Sequence, residues 1–129
     1  MRQFRLLLVD DSPSLLKALS RLFKRNGYDT LTADSGAAAL DTLENEEIDL
    51  IVSDENMPGM SGPDLLEICR TRYPNTVRMM LTGLDGSDSS VEGMRNGSIT
   101  YCLTKPWNDE ELLKMVAGAL VERKATYLS

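Results

Sequence analysis

A chain of 129 residues, 42% hydrophobic and 26% charged, has the size and composition of one folded domain with a buried core. Its formal charge of −6 disfavours nucleic acid or an anionic membrane surface as a direct partner. With no histidine, two isolated cysteines and no apolar stretch near the roughly 20 residues of a bilayer span, the sequence argues against a serine–histidine triad, a zinc site and a membrane helix.

The apolar run Phe4–Val9 predicts a buried strand and is too short for a signal-peptide core. Asp10-Asp11 end it, and Ser12-Pro13 supply an N-cap and a first helical residue. Leu15, Leu19 and Leu22, widened by Leu16 and Phe23, predict a helix that Asn26-Gly27 stop. Tyr28–Ala33 reads as a second strand, and Ser35 caps an Ala-rich helix to about Asn45. Ile48–Val52 is a third strand running into Asp54. Met57–Gly62 is a Pro/Gly loop, after which Ser61 caps a helix from Pro63 to about Arg72. Val77–Leu81 and Ile99–Leu103 are the fourth and fifth strands. Asn108 with Glu111 three residues later opens a last helix, whose apolar face is Leu112, Leu113, Val116 and Leu120.

Between the last two strands, residues 83–97 hold four glycines and three serines but only Leu84, Val91 and Met94 as large apolar residues. Low helix propensity and a small face to bury predict a short, marginal and mobile fourth helix. Asn96-Gly97-Ser98 matches a glycosylation sequon and reads as a turn. Cys69 and Cys102 read as reduced thiols of a cytosolic protein. Five β/α units in succession imply a parallel sheet with helices on both faces, in one domain without linker or repeat.

In that architecture the carboxyl ends of the strands gather on one edge of the sheet. Asp10, Asp11, Asp54, Thr82 and Lys105 all fall at such ends. Taken singly, Asp10-Asp11 is equally a helix start favoured by the helix dipole, and Asp54 a common strand end. Together they place three carboxylates, a hydroxyl and an ammonium in one crevice. Three like charges call for a cation, and oxygen-only ligands suit Mg²⁺. An aspartate oxygen can attack phosphorus and form an acyl phosphate, a reaction that depends on positioning and charge neutralisation more than acid–base work. Asp10 and Asp11 would hold the metal, Asp54 would receive the phosphoryl group, and the backbone carbonyl of Asn56 would be a further ligand. Lys105 and Thr82 would reach phosphoryl oxygens. A cis bond before Pro106 would aim Lys105 inward.

Asp10-Asp11, Asp54-x-x-Met57-Pro58-Gly59-Met60, Thr82-Gly83 and Lys105-Pro106-Trp107 resemble, in order and over about residues 4–122, the receiver domain of two-component response regulators. The resemblance implies a flavodoxin-like (βα)₅ fold with strand order 2-1-3-4-5. It implies phosphorylation of Asp54 by a phosphohistidine on a sensor histidine kinase or a phosphotransfer protein, with Mg²⁺ and with spontaneous hydrolysis of the product. Output would pass through the fourth helix, fifth strand and fifth helix to a downstream protein or output domain, none of which lies within this chain. Dimerisation through that face is compatible with the pattern. The domain is expected in the cytoplasm, without turnover of its own beyond assisting its phosphorylation and slow dephosphorylation.

Two departures stand out. Receivers commonly carry an aromatic residue three positions before the lysine, and here that switch position is Cys102. Tyr101 belongs on the opposite face of a regular strand. The expectation is a receiver that switches through other contacts; the alternative is a bulge that brings Tyr101 into the aromatic role. A redox role for Cys102 is disfavoured, since Lys105 is the only basic residue near it in sequence. The weak fourth helix is the second departure: either a poorly packed surface helix or a segment ordered by phosphorylation or by a partner. Trp107 fits both a core cover and a partner contact. Two rival functions remain. A Mg²⁺-dependent phosphohydrolase of the haloacid-dehalogenase kind has a second acid where this chain has Asn56. An interaction module without phosphorylation typically lacks one of the five polar residues.

Overall fold

The computed structural model describes residues 3–83 and 93–128, with side chains to residue 122. Short apolar segments form β1 (Arg5–Val9), β2 (Asp29–Ala33), β3 (Leu50–Asp54), β4 (Val77–Thr82) and β5 (Tyr101–Thr104). Helices α1 (Pro13–Arg25), α2 (Gly36–Asn45) and α3 (Gly62–Arg72) follow the first three strands. A helical turn over residues 93–96, here α4, precedes β5, and α5 (Asp109–Leu128) closes the chain. The five strands form one parallel sheet in the order β2-β1-β3-β4-β5. This is the doubly wound fold the sequence predicts, with strand ends shifted by one or two residues. The expectation of a marginal, mobile fourth helix falls largely on residues 84–92, outside the described residues.

Strand alternation splits the apolar residues between two cores. Leu6, Leu8, Leu50, Val52, Met79, Leu81 and Leu103 face α1 and α5. Leu7, Val9, Ile51, Met80 and Ile99 face α2 and α3. The predicted stripes are the ones used: Leu16, Leu19 and Phe23 of α1 and Leu112, Val116 and Leu120 of α5 are buried. Each of the first three helices starts at a serine whose hydroxyl accepts from the amide three residues on, Ser12 from Leu15, Ser35 from Ala38 and Ser61 from Asp64. The Asn108 side chain likewise accepts from Glu111 N, as the capping-box pattern predicts. Trp107 packs on the α1/α5 core while its indole N–H donates to Asp109.

The β4–β5 register is regular, pairing Met79 with Tyr101 and Met80 with Cys102. Tyr101 therefore lies with the α1/α5 core and Cys102 with the α2/α3 core. No bulge carries the tyrosine across, and its hydroxyl donates to Glu122 on α5.

Candidate functional site: an acid crevice at the carboxyl edge of the sheet

Asp10 follows β1, Asp54 ends β3, Thr82 ends β4 and Lys105 follows β5, so the fold brings the predicted residues to one edge. Each is fixed by local backbone bonding. The Asp10 amide donates to Ala33 O at 3.2 Å, and its Oδ1 accepts from Ser12 N at 2.8 Å, which turns the chain into α1. The Lys105 amide donates to Thr82 O at 2.8 Å, and the Lys105–Pro106 bond is cis. The lysine ammonium then reaches Asp54 Oδ1 at 2.6 Å and Asp10 Oδ2 at 3.7 Å.

One carboxylate oxygen from each of Asp10, Asp11 and Asp54 lies within 4.8 Å of the others. Asp10 is buried, Asp54 nearly so, and Asp11 exposed. Burial pushes the Asp10 carboxyl above its ordinary range; the Ser12 amide opposes that, the Asp54 charge adds to it, and Lys105 offsets part. Among the described residues, Asp10 Oδ2 is the one buried side-chain polar atom without a hydrogen-bond partner. Three carboxylates against one ammonium leave the crevice anionic. An orphaned buried oxygen in an all-oxygen donor set fits a hard divalent cation of the Mg²⁺ kind.

Thr82 is also buried at the crevice, but its hydroxyl donates to Gly83 O at 3.0 Å. Asn56 stands exposed in the loop two residues past Asp54.

Sequence reasoning missed the residues that hold Asp54 from behind. The Ser53 hydroxyl donates to Asp54 O, and Gly62 N donates to Glu55 O at 2.9 Å. A Cβ on Gly62 would stand 2.2 Å from Asp54 O, so only glycine lets α3 start this close to the strand end. The signal was present, as the second glycine of Met57–Gly62, but it reads as mere loop composition. Glu55, buried beside Asp54, carried no signal at all.

A second missed feature lies beside the crevice. The exposed face of α1 carries Lys17, Arg21, Lys24 and Arg25, and the helix has no acid. With Pro13, Leu16 and Thr32 they line a groove of about 780 Å³ between α1 and the edge strand β2.

Residues 6–117 match the family model described as the response regulator receiver domain. The chain belongs to that family. Receivers of known sequence and structure agree with it over nearly its whole length. The response regulator protein FleR of Pseudomonas aeruginosa is 42% identical over 113 residues, covering 88% of this chain and 24% of FleR. The CpxR homologue of Haemophilus influenzae, a transcriptional regulatory protein, is 38% identical over 122 residues, covering 95% of this chain and 52% of that protein. A CheY-like receiver domain protein from Methanospirillum hungatei superposes with a TM-score of 0.92 at 28% identity, covering 97% of this chain and 99% of that one. The chain thus spans about a quarter to a half of the curated relatives it matches. A receiver is a regulatory domain of phosphorylation-dependent two-component signalling, and this family typically binds Mg²⁺ at an acidic pocket. Among the described residues, no helix of this receiver is long and apolar enough to cross a membrane.

Proposed function

We propose that Asp54 is the phosphoacceptor of a single receiver domain, core residues about 4–122, and that the donor is a phosphohistidine on a sensor kinase or phosphotransfer protein. The observation that carries this reading is the pairing of Lys105 Nζ with Asp54 at 2.6 Å in the crevice that also holds the orphaned oxygen of Asp10. An Asp54 carboxylate oxygen attacks phosphorus while the donor's P–N bond breaks, and its electron pair returns to the imidazole. Lys105 acts as a positioned charge. It holds Asp54 in place and then faces a phosphoryl oxygen. Thr82 turns its hydroxyl from Gly83 O to a phosphoryl oxygen. Asp10, Asp11, Asp54 and the carbonyl of Asn56 would hold Mg²⁺, which would supply positive charge beside the phosphoryl group. The cationic face of α1, adjoining the crevice at Pro13, suits an acidic surface on the donor.

Output passes through the face formed by α4, β5 and α5 to a protein target or a linked output domain, in the cytoplasm. Cys102, on the α2/α3 side of β5, replaces the aromatic switch, so the change at Thr82 reaches this face through backbone and core contacts. The test is acetyl phosphate with Mg²⁺, read by intact mass for the wild type and Asp54→Asn. The reading expects one phosphoryl group on the wild type and none on the variant. An unmodified wild type at saturating Mg²⁺ would leave an interaction module. Continuous turnover of a generic phosphate ester would instead indicate a phosphohydrolase.

A further inference from the structure

β4 carries a guanidinium that the acid crevice does not use. Arg78 lies one residue before the β4–β5 ladder, which begins with Met79 and Tyr101. Its side chain bridges the gap that the missing rung leaves. Nε donates to Ser98 O at 2.9 Å and Nη2 to Gly97 O at 3.2 Å. Nη1 donates to Thr76 O at 3.0 Å and more weakly to Pro74 O at 3.5 Å. Its own carbonyl accepts from Thr100 N at 2.8 Å. All four side-chain bonds end on backbone carbonyls, so the fork ties the segment before β4 to the segment before β5.

Two of those carbonyls, of Gly97 and Ser98, directly follow α4. Gly97, at φ +88°, closes that turn in the left-handed conformation. The junction the guanidinium holds is tight. Ser98 and Ile99 are buried, Ile99 N donates to Gly93 O, and a Cβ on Gly93 would stand 2.2 Å from Ile99 Cδ1. The same turn presents Met94, one of two large apolar side chains left exposed among the described residues.

We infer that Arg78 is a positioning residue of the output face: its guanidinium clasps the α4–β5 junction to β4, setting where the end of α4 and Met94 stand, without taking part at the acid crevice. Its part in signalling rests on the proposed use of the α4–β5–α5 face; the clasp itself does not. A lysine at this position would keep the charge but not the planar fork that reaches Ser98 O and Gly97 O together.

The test compares Arg78→Met and Arg78→Lys with the wild type in the full chain. Native-state amide exchange at Ile99 and Thr100, without any phosphoryl donor, reads the clasp. Exchange at Leu7 and Ile51 reads global unfolding, and Mg²⁺ affinity reads the crevice. The expected result for both variants is exchange at Ile99 and Thr100 about tenfold faster relative to Leu7 and Ile51. Mg²⁺ affinity should stay within about twofold of the wild type, and beryllofluoride-induced amide shifts at residues 93–100 should differ from it. Acceleration that merely tracks Leu7 and Ile51 would overturn the clasp, since the effect would then be general stability. Wild-type protection in Arg78→Lys would overturn the bridging fork. Unaltered beryllofluoride shifts beside loosened amides would overturn the link to output. A wild type that binds neither Mg²⁺ nor beryllofluoride would sink the receiver chemistry while leaving the exchange result to judge the clasp.

Discussion

Asp10→Asn should stabilise the metal-free protein. Asp10 is 3% exposed, and its Oδ2 has no hydrogen-bond partner. At an effective dielectric of about 20, a like charge within 4.8 Å repels Asp10 by about 3 kcal/mol or more, and Lys105 at 3.7 Å attracts it by about 4 kcal/mol. Two carboxylates lie within the former distance, but solvent screens the exposed Asp11. Attraction and repulsion therefore nearly cancel, and desolvation of the carboxylate decides the sign. Asparagine keeps the oxygen that accepts from Ser12 N and removes the charge. The gain should be about 1–2 kcal/mol, which at this length raises the melting temperature by roughly 3–8 °C. Burial holds the native Asp10 pKa above its ordinary value of 3.8, so the native state binds this proton more tightly than the unfolded chain. The stability this contributes is full below that value and is lost as pH rises through the higher native one. The advantage of Asp10→Asn should thus be complete at pH near 7 and vanish by about pH 3. Thermal unfolding in EDTA at both pH values measures it. A variant that melts at or below the wild type near neutral pH without metal would refute the reasoning.

Mg²⁺ should reverse that order, stabilising the wild type by about 2.7 kcal/mol at a hundredfold excess over its dissociation constant while leaving Asp10→Asn little changed; melting at increasing Mg²⁺ checks this. Lys105→Met should slow phosphorylation by acetyl phosphate about a hundredfold while leaving a folded domain, as read by single-turnover mass spectrometry and circular dichroism. Gly62→Ala, whose Cβ would collide with Asp54 O, should destabilise by about 1–3 kcal/mol in urea unfolding. Cys69 is fully buried, with its thiol pushed up to about 11, and should resist alkylation in the native protein, while the half-buried Cys102 reacts first. Peptide mapping after brief alkylation would show the order.

The apolar runs and the capping residues before each helix were enough to read the strands and the helix starts, because burial period and capping are local properties, while the strand order came from the family resemblance. The crevice was legible for the same reason: Asp10, Asp54, Thr82 and Lys105 each sit at a strand end, and topology alone brings those ends together. The faces of Tyr101 and Cys102 followed from alternation. What sequence could not supply was the third dimension of individual contacts. That Asp10 Oδ2 is left without a partner depends on where Lys105 settles between two acids. That Arg78 spans to Gly97 and Ser98 depends on β5 beginning two residues late, at Tyr101 rather than at the predicted Ile99. The cations of α1 were overlooked because exposed charges on a helix ordinarily mean only a solvated face; the lack of acids within that helix becomes meaningful once it is seen beside the crevice.

Chemical location of the acyl phosphate tests the central claim most directly. Treating the Mg²⁺- and acetyl phosphate-loaded protein with borohydride reduces an aspartyl phosphate to homoserine, and peptide sequencing then reads its position. Homoserine at position 54, absent in Lys105→Met at matched times, is the predicted result. Homoserine at position 10 or 11, or at none, would contradict the assignment of Asp54 as the phosphoacceptor.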